Sequence, residues 1–297
     1  MTIASKDVVE FGVVDTGGGQ ITPHTTVADL GRLDRSKFVP LTGPVAVHGA
    51  EPGDALKITF LDFKLSGWGW SMITERYGIL PDHFPGPMLK IWRYDPSGRE
   101  PVTHAGARIP LKPFPGIIGT APGEDGTHPS LPPYPTGGNL DMRDLSVGTS
   151  LFLPVAAPGG LLSIGDTHAV QGHGELAGTA LESPIDVTVQ VELVKNANLP
   201  GPRLQTSAAP ARHLDRSGYN VTCGVSNDLT EAARLATLHM IELLDKEHQV
   251  APIDAYLLCS LCGDLVISEM VNKPVNVVSL YFPRMVFEST DDYRPAA

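Results

Sequence analysis

Pro184-Ile-Asp-Val-Thr-Val-Gln-Val-Glu-Leu-Val-Lys195 alternates apolar and polar residues along its length. On extended backbone Ile185, Val187, Val189, Val191 and Leu193 face one way, and Asp186, Thr188, Gln190 and Glu192 the other. A period of two predicts a strand with one buried and one wet face. Ala55-Leu-Lys-Ile-Thr-Phe-Leu-Asp-Phe63 reads the same way. Leu56, Ile58, Phe60 and Asp62 share one face; Lys57, Thr59, Leu61 and Phe63 share the other. With 31 glycines and 27 prolines in 297 residues, turns are frequent and long helices few. The expected fold is mainly β, a sandwich- or barrel-like core built of two β parts.

Shorter strands are expected at residues 8–14, 150–156 and 161–164. Residues 67–87, with Trp68, Trp70, Tyr77, His83 and Phe84, read as a long ordered loop over a site or a contact. The last third changes character. Residues 197–213 look like a linker or arm. Asp228-Leu-Thr-Glu231 is a capping box opening a helix to about 247, with Ala232, Leu235, Ala236, His239 and Leu243 on one face. A second helix runs from Pro252 to Gly263, and strands are expected at 265–271 and 275–282. The expected division is a β-rich core over 1–195 carrying the site, and an α+β segment over 196–297 packed on it and completing it.

A net charge of −11 argues against nucleic acid or an anionic membrane as partner. No apolar run has the roughly 20 residues that span a bilayer. No signal peptide is visible, and three cysteines make no disulfide framework, which together suit a reducing cytoplasm. Cys259 and Cys262 have redox or half-zinc spacing, but inside an expected helix they read better as small buried hydrophobes.

Chemistry concentrates in Gly165-Asp-Thr-His-Ala-Val-Gln-Gly-His-Gly-Glu175. Asp166 and His168 are two apart, as are His173 and Glu175, so extended backbone puts each pair on one face. Gly172 and Gly174 let the chain turn back and bring the pairs together. Gln171 lies between them. Gly137-Gly-Asn-Leu-Asp141 is a second source of ligands, Asn139 and Asp141. Gly-x-Ser-x-Gly is absent, and no serine- and glycine-rich amidase loop with a lysine partner is found. Metal-assisted hydrolysis then needs the fewest unseen parts. Asp141, Asp166, His168, His173 and Glu175 are the candidate ligands, in a mixed nitrogen/oxygen shell that suits zinc first and calcium or magnesium next. Glu175, Asp166 and His168 are the candidate catalytic groups, with Glu175 as general base toward water and acid toward the leaving amine. Gln20, Asn139 and Gln171 are candidates to hold a substrate amide.

With these residues quoted, the chain resembles the acetamidase/formamidase family. The resemblance runs in order through Asp15-Thr-Gly-Gly-Gly-Gln20, Leu41-Thr-Gly-Pro44, Gly49-Ala-Glu-Pro-Gly-Asp54 and Pro113-Phe-Pro-Gly-Ile-Ile-Gly119. It continues through 137–141, 165–175, Gly178-Thr-Ala-Leu-Glu182, Asp254-Ala-Tyr256 and Gly263-Asp-Leu-Val-Ile-Ser268. It implies a cytoplasmic enzyme that hydrolyses short aliphatic amides to carboxylate and ammonia. It also implies a two-part β-sandwich-like architecture, metal at the site, and a homo-oligomer, dimer or higher. Two departures are visible: His173 stands where the family usually has aspartate, and the usual additional N-terminal strand is missing. A non-catalytic metal- or ligand-binding β protein, or a hydrolase of larger or cyclic amides, are the competing expectations.

Overall fold

The alternation at 184–195 becomes the strand Ile185–Val194, with Ile185, Val187, Val189 and Val191 buried. It lies antiparallel to Ala55–Leu65 along its whole length. The computed structural model from which these positions come describes residues 1–206, 214, 216–271 and 274–288. The two strands lie in a five-stranded sheet ordered Arg203–Gln205, Ser150–Pro154, Ala55–Leu65, Ile185–Val194, Val8–Phe11. The expected alternation of 55–63 changes phase once. Val189 pairs with Phe60 and Thr188 with Asp62, so Leu61 bulges out. Leu56, Ile58 and Phe60 are buried before the bulge, Phe63 and Leu65 after it. The apolar residues on its two sides have opposite parity, and an extra residue is what lets both sets face the core.

The second sheet has nine strands. Its hub is Leu162–Val170, longer than the expected 161–164, which runs through Asp166 and His168. One edge of this strand pairs with Phe114–Gly119. The other pairs first with Leu41–Val47 and then with the short strand Leu181–Glu182. The start of the expected loop at 67–87 is sheet instead: Trp68–Ile73 pairs with Met88–Arg93 just beyond it. Trp70 and Trp92 bury their rings there and donate their indole N–H groups to Asp15 Oδ1 and Ser71 Oγ, both at 3.0 Å. Val45, Ile118, Leu162 and Ile164 of this sheet share one hydrophobic core with Leu56, Phe60, Val187 and Val189 of the other. Among the described residues neither sheet closes into a barrel.

The C-terminal part is a three-stranded antiparallel sheet, Tyr219–Ser226, Asn276–Pro283 and Asp264–Glu269, with two helices. Helix α1, Leu229–His248, starts where Asp228 accepts a hydrogen bond from Glu231 N at 2.8 Å. Its buried stripe is Ala232, Ala233, Ala236, Thr237, Met240, Ile241 and Leu244, turned around the helix from the expected face; His239 is exposed. The helix packs against both the small sheet and its neighbour, so two seams must be apolar. Helix α2, Pro252–Cys262, has Pro252 in its first turn and Gly263 just past its end. Cys259 and Cys262 are buried free thiols within it. Arg203–Gln205, inside the expected linker, pairs with Ser150–Phe152; residues 207–213 lie outside the described residues.

Candidate active site

Leu162–Val170 carries Asp166 and His168 into the interior, where the imidazole is completely buried. Their spacing on one strand works as the sequence suggests: His168 Nε2 is 3.3 Å from Asp166 Oδ1. Cross-strand pairing supplies the rest. Phe114 stands opposite His168 on one side and packs edge-on at 5.1 Å between ring centroids. Glu182 stands opposite on the other, its Oε2 3.2 Å from His168 Nε2. Asp141 enters from the segment after Gly137–Asn139, with Oδ1 3.9 Å from His168 Nδ1. Its position is fixed by the Gly116 carbonyl, which accepts from Leu140 N at 3.0 Å and Asp141 N at 3.1 Å. Gly116 must lack a side chain: a Cβ would lie 2.6 Å from His168 Cε1 and 2.7 Å from Asp141 Oδ1. Glu175 arrives from the turn after the strand. Asp141, Asp166 and His168 offer ligand atoms within 4.8 Å of one another, and so do His168, Glu175 and Glu182.

Three of these carboxylates hold backbone that non-glycine residues rarely adopt, with φ of +48° at Asp141, +52° at Asp166 and +43° at Glu175. Such conformations persist where surrounding structure over-determines them, and they collect at functional sites.

Four acids around one imidazole in a dry pocket distort each other's protonation. Burial pushes the Asp141 carboxyl up to about 6, with His168 opposing and Asp166 adding to the rise. Burial likewise pushes Glu182 up to about 7 against the pull of His168. Burial and then the Asp141 charge hold Glu175 well above the usual carboxylate range. Burial opposes the charge on His168, but Glu182 and Asp166 outweigh it and raise its basicity. Burial opposes ionisation of Asp166 too, yet His168 keeps it below its ordinary value.

The donor set suits a cation. Asn139 Oδ1, Asp141 Oδ1, Gln171 Oε1, Glu182 Oε2 and both ring nitrogens of His168 are buried without a hydrogen-bond partner. The unpartnered oxygens of Asp141 and Glu182 beside the imidazole are what a divalent ion satisfies, and an imidazole among carboxylates is a mixed shell open to zinc and to harder cations.

Not every expected residue joins. Gln171 supports the cluster by donating from Nε2 to the Asp141 carbonyl at 3.1 Å, which leaves Oε1 unbonded. Gln20 is spent elsewhere: Nε2 donates to the Gly17 and Asp34 carbonyls, both at 3.0 Å, and Oε1 accepts from Asp34 N at 2.8 Å. His173 sits outside both ligand groups. Its Nε2 is 3.8 Å from Asp144 and its backbone N–H donates to Asp264, which in turn holds the buried Arg143. The turn at 172–178 is compact, not extended, and despite their spacing only Glu175 of the pair His173 and Glu175 enters a ligand group. Asp15 is buried nearby as a support, accepting from Trp70 and from Gly17 N. Glu182 and Gly116 were not expected at the site. Both lie in stretches that carry the family resemblance, but only strand pairing brings them to His168.

An open cleft of about 530 Å³ is lined by Glu175, while Asp141, Asp166, His168 and Glu182 stand behind its lining. Gly78, Ile79 and Pro81 form one wall, and Thr230 and Arg234 of α1 another.

The family model for "Acetamidase/Formamidase family" matches residues 1–130 and 123–289. The chain belongs to the acetamidase/formamidase family. It is an amide hydrolase. The formamidase of Methylophilus methylotrophus is 28% identical over 97% of this chain and 86% of that protein. A solved acetamidase from Bacillus halodurans is 32% identical, covers 96% of this chain and 92% of that one, and superposes with a TM-score of 0.65. A solved gamma lactamase from Delftia acidovorans is 26% identical, covers 100% and 88%, and superposes with a TM-score of 0.87.

Proposed function

We propose that this family member hydrolyses short aliphatic amides of the formamide and acetamide type to carboxylate and ammonia, at the cluster around His168. The observation that carries this reading is the convergence of Asp141, Asp166, Glu175 and Glu182 on one buried imidazole, with unpartnered acceptor atoms. Asp141, Asp166, His168 and Glu182 would hold a divalent metal, zinc first, with calcium or magnesium as alternatives, leaving Glu175 unligated. A cation held there supplies electrophilic polarisation of the amide carbonyl and acidifies a water.

The chain's own groups do the rest. Glu175 takes a proton from the attacking water and returns one to the leaving nitrogen. Its raised proton affinity and its place on the cleft suit both tasks. Asp166 and Glu182 both hold His168 at Nε2, with Asp141 on the Nδ1 side. Gln171 steadies Asp141 through its backbone, while Gln171 Oε1 and Asn139 Oδ1 are left to accept from the substrate N–H groups. Phe114 and the surrounding core exclude bulk water and so strengthen every charge interaction inside.

A second reading, a larger or cyclic amide, is favoured by two observations. The cleft is in the size range that takes drug-sized ligands, and the gamma lactamase superposes more closely than the acetamidase quoted above. The reading includes a cytoplasmic homo-oligomer whose 196–297 segment completes the site. Among the described residues no helix is long and apolar enough to cross a membrane.

The test is ammonia release from formamide and acetamide, and ring opening of a simple γ-lactam, before and after chelation and again with zinc restored. Release that is lost and recovered supports the first reading. Ring opening alone supports the second. Turnover indifferent to full metal stripping would remove the metal, and no turnover of any of the three would favour a binding protein.

A further inference from the structure

The turn that presents Glu175 closes on itself where Glu175 N donates to Gly172 O at 3.4 Å and Glu175 O accepts from Gly178 N at 2.8 Å, which leaves its flanks to be held from outside. What holds them is helix α2. Tyr256 and Ser260 are one helical turn apart and completely buried. The Tyr256 hydroxyl donates to the Leu176 carbonyl and accepts from Ile79 N at 2.9 Å and Leu80 N at 3.1 Å. That uses one donor and both acceptor positions of the hydroxyl. Ser260 Oγ accepts from Ala177 N at 3.0 Å and donates to the Thr179 carbonyl at 2.9 Å. The Ser260 carbonyl accepts from Gly172 N at 2.8 Å.

The backbone on both sides of Glu175 is therefore pinned to one helix. Leu176 O also accepts from Ile79 N at 2.8 Å, so the same node joins the Glu175 turn to the cleft wall. Close backbone approach leaves no slack at either join. A Cβ on Gly172 would lie 2.0 Å from Gly263 O, just past the end of α2, and one on Gly178 would lie 2.6 Å from Gly78 N in the wall.

We propose that Tyr256 and Ser260 are positioning residues for Glu175: their hydroxyls set where its carboxylate stands relative to His168 and to the cleft. This rests on the reading of Glu175 as the proton-transferring group. The residues touch no reacting atom, and they act through the backbone of residues 172–179. Tyr256 has a second role in the same bond set, since its bonds to Ile79 N and Leu80 N fix the segment that carries the cleft wall Gly78, Ile79 and Pro81.

The experiment compares Tyr256→Phe and Ser260→Ala with the unaltered full chain. It measures amide hydrogen exchange by mass spectrometry, then kcat, KM and the pH profile of kcat on the best amide. In Tyr256→Phe, exchange should quicken at residues 172–180 and 76–82 and stay unchanged in the five-stranded sheet. The value of kcat should fall at least tenfold with KM within about threefold, because a displaced general base costs the chemical step more than binding. The limb of the pH profile that Glu175→Gln removes should move. Ser260→Ala should do the same at 172–180 while sparing 76–82, and it decides the matter if the phenylalanine variant does not fold.

Faster exchange with unchanged kcat and pH profile would make the two hydroxyls merely structural and overturn the proposal. Unchanged exchange would overturn it as well. If the unaltered protein turns over no amide, the functional reading fails separately, and the exchange pattern alone decides whether α2 holds the Glu175 turn.

Discussion

Glu182 brings Oε2 to 3.2 Å from Nε2 of His168 across a strand pair, with both side chains closed off from solvent. Asp166 Oδ1 approaches the same nitrogen at 3.3 Å. A carboxylate placed this way either ligates a cation beside the histidine or orients the ring that does. Glu182→Gln keeps the volume and removes the charge. It should lower zinc affinity roughly 10- to 100-fold, the range typical of a lost partner to a ligating histidine, and turnover with it. Titration calorimetry checks this, and zinc affinity equal to the unaltered protein's would place Glu182 outside the metal's reach.

The same crowding predicts how the metal-free protein responds to pH. Asp141 and Glu182 have folded values pushed up to about 6 and about 7, and Glu175 and His168 are raised as well. A group raised on folding contributes stability below its unfolded pKa and loses it as pH climbs through the folded one. All four act in one direction. Asp141 gives up most of its share below pH 6, so between pH 6 and pH 8 chelated protein should lose stability mainly through Glu182, Glu175 and His168, by up to about 1.4 kcal/mol per pH unit for each group titrating. Zinc should restore most of it at pH 8, where protons no longer compete for the ligands. Urea unfolding at the two pH values, with and without metal, reads this directly; equal midpoints in the chelated protein would contradict it.

Gly116 gives a test of space without charge. Its missing Cβ leaves room for His168 Cε1, Asp141 Oδ1 and the Asp166 carbonyl, all within 2.8 Å of where that atom would be. Gly116→Ala should fold, because the intrusion is local, yet displace Asp141 or His168 by a large fraction of an ångström. A misplacement of about 1 Å can cost about 100-fold in rate. Turnover and zinc affinity should both fall while the far-ultraviolet dichroism is unchanged. A variant with normal turnover would show that the cluster tolerates movement there.

Asp166→Ala and His168→Ala remain the plainest deletions. Each removes a member of a ligand group, and each should abolish turnover while the sheets still form. Normal turnover of either variant would remove the cluster from the chemistry.

What was legible in the sequence followed the periodicity. Ile185–Val194 and both helices could be read directly, because alternation, a capping aspartate at 228 and Pro252 with Gly263 are local signals. The bulge at Leu61 and the strand Trp68–Ile73 were not, since each depends on what the partner strand offers. The site divides the same way. Asp166 and His168 are neighbours by strand spacing, and Asp141 was suggested by its Gly-Gly turn. Glu182 joins only through the pairing of Leu181–Glu182 with Leu162–Val170, and Gly116 only through what its absent side chain makes room for. His173 failed in the opposite sense. Its spacing to Glu175 implied a shared face, but two glycines make the segment a turn, and spacing then says nothing about direction.

That failure yields the last prediction. His173 stands where the family usually has aspartate, and it was one of the expected ligands of a mixed nitrogen/oxygen shell. Instead its ring is part-exposed beside Asp144, with Arg143, Asp264 and Lys112 as its charged surroundings, and it belongs to neither ligand group. His173→Asp would place a carboxylate near Asp144 and Asp264 but also near Arg143 and Lys112, so repulsion and attraction largely offset. Partly exposed pairs of this kind are worth about 0–1 kcal/mol. Turnover and zinc affinity should both stay within about fivefold of the unaltered protein. A gain in turnover of about 100-fold would mean that the turn carrying Glu175 rearranges to admit residue 173 into the ligand set. A comparable loss would mean that the imidazole already works there, and either result would require the site to be redrawn around residue 173.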